Sequence, residues 1–336
     1  MTSRYSGWLR IALIVGSVMG IVCCIGFGIY WFLLRTTANV VQTSNPWVRS
    51  LAWSKGGASL FVGSADRSIT YWDVESAKLL YTVNRSASVR DIALSPDGMM
   101  LAVGDQTGAI NIWYPSTGDV EQLAKEYEQD ALGFLAWSPD GSQLAYTGDK
   151  GKIMIWDVAH RQKSVFAQAK NGITGISWSP DGTRLATSST DGTVSIWDRQ
   201  TGQSIWIIEA HEGWANDVDW ALDGSLLASG GDDSQLKVWD AKTGKLVNQT
   251  SGSDQIFSVA WSPRANQIAW ASAAGQVAIT DFEKPDIHFN AGTGQVWVVA
   301  WLRDGQQLAA GTDSNTIFIW ETATGQQIQL LTLPMP

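Results

Sequence analysis

The sequence predicts an all-β body of seven four-stranded antiparallel sheets, preceded by one transmembrane α-helix. Three observations carry the prediction. Beyond residue 46, Trp72, Trp113, Trp156, Trp197, Trp239, Thr280 and Trp320 stand 41, 43, 41, 42, 41 and 40 residues apart, the mark of a repeated supersecondary unit. Asp-Gly pairs sit between short apolar alternations, which is how β-hairpins read in sequence. Finally, Ile11 to Leu34 form 24 consecutive uncharged, mostly apolar residues.

Residues 1–10 read as a tail and 11–34 as a membrane span. As a helix the span would reach about 36 Å, against a hydrocarbon core of roughly 30 Å. Tyr5, Trp8, Tyr30 and Trp31 stand where interfacial aromatics belong, and Arg10 and Arg35 bracket the run. A cleaved signal peptide competes with this reading, but its apolar region is ordinarily only about 7 to 15 residues long. Thr36-Thr37-Ala38 is also a poor cleavage site. Arg4 and Arg10 before the span, with Arg35 after it, leave a slight positive-inside bias that favours an extracytoplasmic body over a cytoplasmic one. Ala12, Gly16, Gly20, Cys24 and Gly28 recur every four residues, a small-residue face on which two such helices could dimerise. The competing view is that membrane helices are simply rich in Gly. Residues 35–46 are a linker, within which 38–43 also read as a closing strand for the body.

Each Trp of the first column closes an alternation such as Ile110-Asn111-Ile112-Trp113 or Val194-Ser195-Ile196-Trp197, which has the period of a strand. A second column, Trp53, Leu94, Trp137, Trp178, Trp220, Trp261 and Trp301, usually leads into a turn such as Ser138-Pro139-Asp140-Gly141. The run after such a turn, Leu185-Ala186-Thr187 for example, gives a third strand. Runs such as Ser204-Ile205-Trp206-Ile207-Ile208 give a fourth. One repeat is therefore a four-stranded antiparallel sheet.

Over residues 47–336 these units resemble the WD-repeat family of β-propellers. Trp-Asp itself stands at Trp72-Asp73, Trp156-Asp157, Trp197-Asp198 and Trp239-Asp240, with Trp113-Tyr114, Thr280-Asp281 and Trp320-Glu321 as variants. Seven units close a ring without a gap, so the expected fold is a seven-bladed β-propeller. Two segments compete for the outer strand of blade seven, residues 38–43 and residues 327–333, and contiguity with its own blade favours the second. The resemblance further implies a buried Asp-His-Ser/Thr-Trp hydrogen-bond chain. Only blade five carries it in full, as Asp233, His211, Ser229 and Trp239; blade four keeps Asp191, Thr187 and Trp197 but has Ala169 where the His would be. In blade six Trp270 and Thr280 have exchanged places relative to the other blades, and Trp270 is expected to fill the space of the missing column indole.

Each innermost strand begins V-x-x-[VIL] or a close variant, a three-residue step that breaks the period of two and predicts a bulge, a device that re-aims side chains. In resembling propellers the re-aimed positions line a partner-binding face. Here they include Trp47, Arg49, Arg90, Trp214, Asn216, Phe257 and Trp297, with Thr174 also expected to be open. Blades five, six, seven and one are contiguous in a closed ring, so the four aromatics are expected to form one arc. Exposed Trp with Arg nearby is the composition of interface hot spots. The competing reading has these rings packing on loops or plugging the channel.

Charge and composition narrow the function. The net charge is −9, and three Arg with no acid before residue 47 leave −12 for the body. Such a body lacks the clustered Lys and Arg that a nucleic-acid surface needs. The only two Cys, Cys23 and Cys24, are neighbours that can neither staple a framework nor supply a thiolate zinc site. The three His fall in different blades and roles, and no metal- or cofactor-binding motif is present, so no catalytic residue, cofactor or metal is expected. The implied function is a membrane-anchored, non-catalytic scaffold that binds a protein or peptide through one face of the disc. The alternative is a small-ligand sensor, or a propeller enzyme, using the central channel.

Overall fold

The apolar alternations fold into strands, and the strands into seven sheets of four, among residues 47–125 and 133–334, which are those the computed structural model describes. The tail 1–10, the span 11–34 with its Gly16, Gly20 and Gly28 face, and the linker 35–46 lie outside the described residues. Among the described residues no helix is long and apolar enough to cross a membrane.

Blade one runs Val48–Trp53, Ser59–Ser64, Ser68–Asp73 and Lys78–Asn84, each strand antiparallel to the next, and the other six repeat that order. Blades two to seven span 89–125, 135–168, 173–209, 215–251, 256–290 and 296–332. The first strand of each blade packs against the first strands of both neighbours, blade seven meeting blade one, so the ring is closed.

The position of each strand in its blade explains its composition. Second strands are covered on both faces by adjacent blades, and Ser59–Ser64 and Leu101–Asp105 are buried throughout. Outermost strands alternate between exposed and half-buried, as along Lys78–Asn84. The apolar core is accordingly not one mass but seven clusters, one at each interface between neighbouring blades.

The Asp-Gly hairpins have a local cause. In Ser138-Pro139-Asp140-Gly141 the Ser138 hydroxyl donates to Asp140 Oδ1 at 2.6 Å and accepts from the Gln143 N–H at 2.9 Å, while Gly141 takes φ +70°, a conformation costly for any residue with a Cβ. The Ser138 hydroxyl is also the main reason the Asp140 carboxyl is held down at about 2. At the far end of the chain, Gln327–Thr332 pairs with Thr316–Glu321 and occupies the outer edge of blade seven. Leu331 and Leu333 are buried with residues of blade one, which ties the last strand into the closure. The competing segment 38–43 lies outside the described residues.

Candidate binding face at the channel mouth

The three-residue step is a bulge. In six of the innermost strands the register slips between the first and third residues, as where Val48 faces Ser64 but Ser50 faces Gly63. Blade three shows no slip, its first strand starting only at Leu135. The slip separates three consecutive side chains by task. The first, Val48, Val89, Ile173, Ala215, Ile256 or Val296, is buried between blades. The second turns toward the channel mouth, where Arg49, Arg90, Asn216, Phe257 and Trp297 border one cavity of about 530 Å³. Thr174 differs from the expectation: it is buried, with its hydroxyl bonded to Ser188 Oγ and the Ala215 carbonyl of the next blade.

The aromatic arc is a stack with one separate member. Phe257 and Trp297 lie face to face, centroids 4.3 Å apart and planes 4° from parallel, and Trp47 stacks on Trp297 at 5.5 Å. The Arg49 guanidinium sits over both indoles, 4.3 Å from the Trp297 centroid and 4.7 Å from that of Trp47. Trp214 borders the same cavity but stacks on none of these rings, and it is 51% exposed. Its loop is fixed from beneath, because Asp232 accepts the Trp214 N–H at 3.2 Å and the Asn216 side-chain amide at 3.0 Å. Burial and the neighbouring charge of Arg90 bring Arg49 down to about 10, and burial lowers Arg90 as well.

In four of the seven units the third residue of the step joins neighbouring blades, a role the sequence reading missed. The Ser50 hydroxyl accepts the Ile92 N–H of blade two at 3.1 Å, and Asp91 Oδ2 accepts the Leu135 N–H of blade three at 2.9 Å. Asp217 Oδ2 takes the Val259 N–H at 2.9 Å, and the Ser258 hydroxyl takes that of Val299 at 3.3 Å. Three positions further on, the second Trp column adds a ladder of its own. Trp53, Trp137, Trp178, Trp220 and Trp301 each donate Nε1 to a carbonyl of the preceding blade at 2.9–3.1 Å. Trp261 is the exception: the Asp219 carboxylate accepts its backbone N–H instead. Burial pushes Asp91 up to about 6 and Asp217 up to about 7, against the hydrogen bonds they accept. The signal was in the sequence, as Ser or Asp one place after the channel-facing residue in four of the seven units.

Blade five holds the complete polar chain. His211 Nδ1 is 2.7 Å from Asp233 Oδ1 and Nε2 is 2.7 Å from Ser229 Oγ, which accepts Trp239 Nε1 at 2.9 Å. Lys237 Nζ adds a contact to Asp233 Oδ2 at 2.9 Å. Burial lowers the His211 pKa. In blade four the bond from Trp197 Nε1 to Thr187 survives without a His. Blade six makes the same bond reversed, Trp270 Nε1 donating to Thr280 Oγ1 at 3.0 Å. Gly252, which aligns with His211, is where the other end of that indole goes: a Cβ there would lie 3.3 Å from Trp270 Cζ3. Trp270 thus reaches from Thr280 into space that the His fills in blade five. The other two His are apart from this, His160 exposed beside Asp157 and His288 exposed on an outer strand.

Comparison with known proteins agrees with this architecture. A family model described as the WDR19 first beta-propeller matches residues 49–200, the anaphase-promoting complex subunit 4 WD40 domain matches 197–264, and the WD domain, G-beta repeat, matches 284–321. Among curated proteins, the chain is 35% identical over 85 residues to target of rapamycin complex subunit LST8 of Bos taurus, covering 24% of this chain and 26% of that one. It is 30% identical over 95 residues to the U3 small nucleolar RNA-associated protein 15 homolog of Xenopus tropicalis, covering 28% and 18%. Over 107 residues it is 29% identical to the guanine nucleotide-binding protein subunit beta of Schizosaccharomyces pombe, covering 31% and 32%. The match thus spans about a quarter of the length of the first of these relatives. Together with seven closed four-stranded blades, the matches support WD40-repeat families, and the chain from Val48 to Thr332 is a seven-bladed β-propeller.

Proposed function

We propose that this chain is a non-catalytic interaction scaffold, a rigid propeller that binds a protein or peptide partner through the channel-mouth face. The observation that carries the reading is Trp214, a large apolar side chain half out in solvent beside a 530 Å³ cavity walled by the Phe257–Trp297 stack. Aromatic anchors around a pocket, with Arg at its rim, are what interface hot spots are made of. Two of the relatives are named as subunits, one of a complex and one a guanine nucleotide-binding protein subunit, which is support of the same kind. The finer reading adds a membrane anchor at residues 11–34, an extracytoplasmic disc and an anchor face, Gly16, Gly20 and Gly28, able to pair two copies. A photoreactive residue at position 214, in native membranes, tests the whole. Crosslinks to one protein species are expected; crosslinks to none, or only to lipid, overturn the binding face, and protease access from one side of the membrane reports the orientation. A small ligand in the cavity is the second reading, favoured by the cavity's volume, which lies within the range of small-molecule sites.

A further inference from the structure

The channel-mouth cavity is electrically lopsided. On the blade five side its carboxylates are already engaged: Asp232 by the Trp214 N–H and the Asn216 amide, and Asp217 by the N–H groups of Val218 and Val259. Asp91, also at the cavity wall, accepts from Ser50, Ile92 and Leu135. On the side of blades one and two stand Arg49 and Arg90, and among the described residues neither guanidinium has an ion-pair or hydrogen-bond partner. A guanidinium carries five N–H donors in a planar fork. Two of them, half-buried and side by side, repel each other and have lost part of their hydration, which is why Arg49 is held down at about 10. An anion set between them would relieve both costs at once.

We propose that Arg49 and Arg90 form an anion-receiving site for an acidic peptide segment, taking its carboxylate or phosphate group while a neighbouring apolar side chain of that segment lies on the Phe257–Trp297 rings. The proposal rests on the reading of this face as a peptide-binding surface and specifies its ligand. Three features select a peptide. The cavity, at about 530 Å³, is far larger than a bare anion and suits two or three side chains. The Trp297 ring stands immediately beside the Arg49 guanidinium, and Gln255 and Gln295 line the same cavity, where a peptide backbone would run. The body carries −12 with this pair included, so a polyanion such as a nucleic acid is repelled, whereas a short segment with one or two acids feels mainly the local pair.

The test uses the full chain in mild detergent and a synthetic library of heptapeptides, randomised at every position and doped with phosphoserine. Selection of peptides with an acidic residue next to an apolar one is expected, with Asp and Glu or phosphoserine winning according to which anion the site takes. Replacing the selected acid by its neutral counterpart should weaken binding at least tenfold, and so should Arg90→Gln in the protein. Inorganic phosphate alone at millimolar concentration should compete. Selection without acid enrichment, or equal binding of the acidic and neutral peptides, overturns the proposal without any protein variant having to fold. If Trp214→Ala abolishes peptide capture while Arg90→Gln leaves it intact, the binding face stands and the anion site falls.

Discussion

Trp270 offers a sharp test of how this propeller is packed, because its indole is 1% exposed at the interface of blades five and six. Truncation to Ala removes an aromatic side chain that buries on the order of 200 Å², an upper estimate of about 5 kcal/mol at 25 cal/mol per Å². It also strands the Thr280 hydroxyl, which now accepts Nε1 at 3.0 Å in a buried site. The loss expected for Trp270→Ala is about 3–5 kcal/mol, in line with other buried Trp truncations. At about 2–4 °C per kcal/mol that is a fall in Tm of roughly 10 °C. Trp270→Phe keeps most of the apolar area and isolates the hydrogen bond, with an expected cost of about 1–2 kcal/mol. Thr280→Trp alone sets a second indole into an occupied site and should also destabilise, by about 1–3 kcal/mol. The double exchange, Trp270→Thr with Thr280→Trp, restores the Thr187–Trp197 arrangement of blade four and should recover part of both losses, a coupling of about 1–3 kcal/mol. Recovery should be incomplete, because the exchanged indole no longer reaches Gly252. Guanidinium unfolding of the full chain, followed by circular dichroism, reads all four. A loss below about 1 kcal/mol for Trp270→Ala, or strictly additive effects in the double exchange, would refute the account of blade six.

Other outcomes follow from the same structure. Asp217 has a folded-state pKa near 7 against an unfolded value near 3.8, so between those limits the folded protein holds a proton that the unfolded chain has released. Its contribution therefore weakens stability progressively as pH rises from about 4 to 7, and the penalty is constant above that. Subtracting the Tm–pH curve of Asp217→Asn from that of the parent should show this slope, and a difference curve flat from pH 4 to 7 contradicts it. Trp214→Ala should leave Tm within about 1 °C, since the side chain is half exposed, yet lower partner capture severalfold in a pull-down. Unchanged capture removes Trp214 from the binding face. Gly311→Ala would put a Cβ 2.2 Å from Val48 Cγ1, at the interface that closes the ring, where the β-branched Val48 has no room to turn. A loss of at least about 2 kcal/mol in denaturant unfolding is expected, and a neutral result means that the closure is looser than described.

The fold was legible because the repeat supplies the same evidence seven times. A single Asp-Gly turn or Trp-Asp pair is weak, but seven units in register fix strand order, blade number and the bulge seen at six of the seven inner strands. The complete polar chain of blade five could also be read residue by residue, since His211, Ser229, Asp233 and Trp239 fall at fixed offsets within one unit. What escaped the sequence lies between units. Whether Trp214 would join the stack of Trp47, Phe257 and Trp297 depends on loop conformation, and Asp232 settles it by holding the Trp214 backbone. Thr174 read as open because its position in the step matches Arg90, yet the neighbouring blade supplies a carbonyl for its hydroxyl. The far end of Trp270 could be placed only by noticing that Gly252 stands where blade five has His211.

The stitches between inner strands are unevenly shared around the ring. Among the described residues, side-chain acceptors join blades one to two, two to three, five to six and six to seven, and Ser177 with Asp219 joins four to five. At the two remaining seams the corresponding residues are Phe134 and Val298, which have nothing to offer a backbone N–H; the seam of blades three and four is held instead by Trp178 to Ala136 and by Arg199 to Ser142 and Asp140, and that of blades seven and one by Trp53 to Ala300 and Gln329 to the Glu75 carbonyl. By these inner-strand stitches the disc divides into two arcs, blades one to three and blades four to seven, which meet at a pair of nearly opposite seams. A partner spanning the mouth from Arg90 to Phe257 would bridge both arcs and brace the ring against opening along either seam.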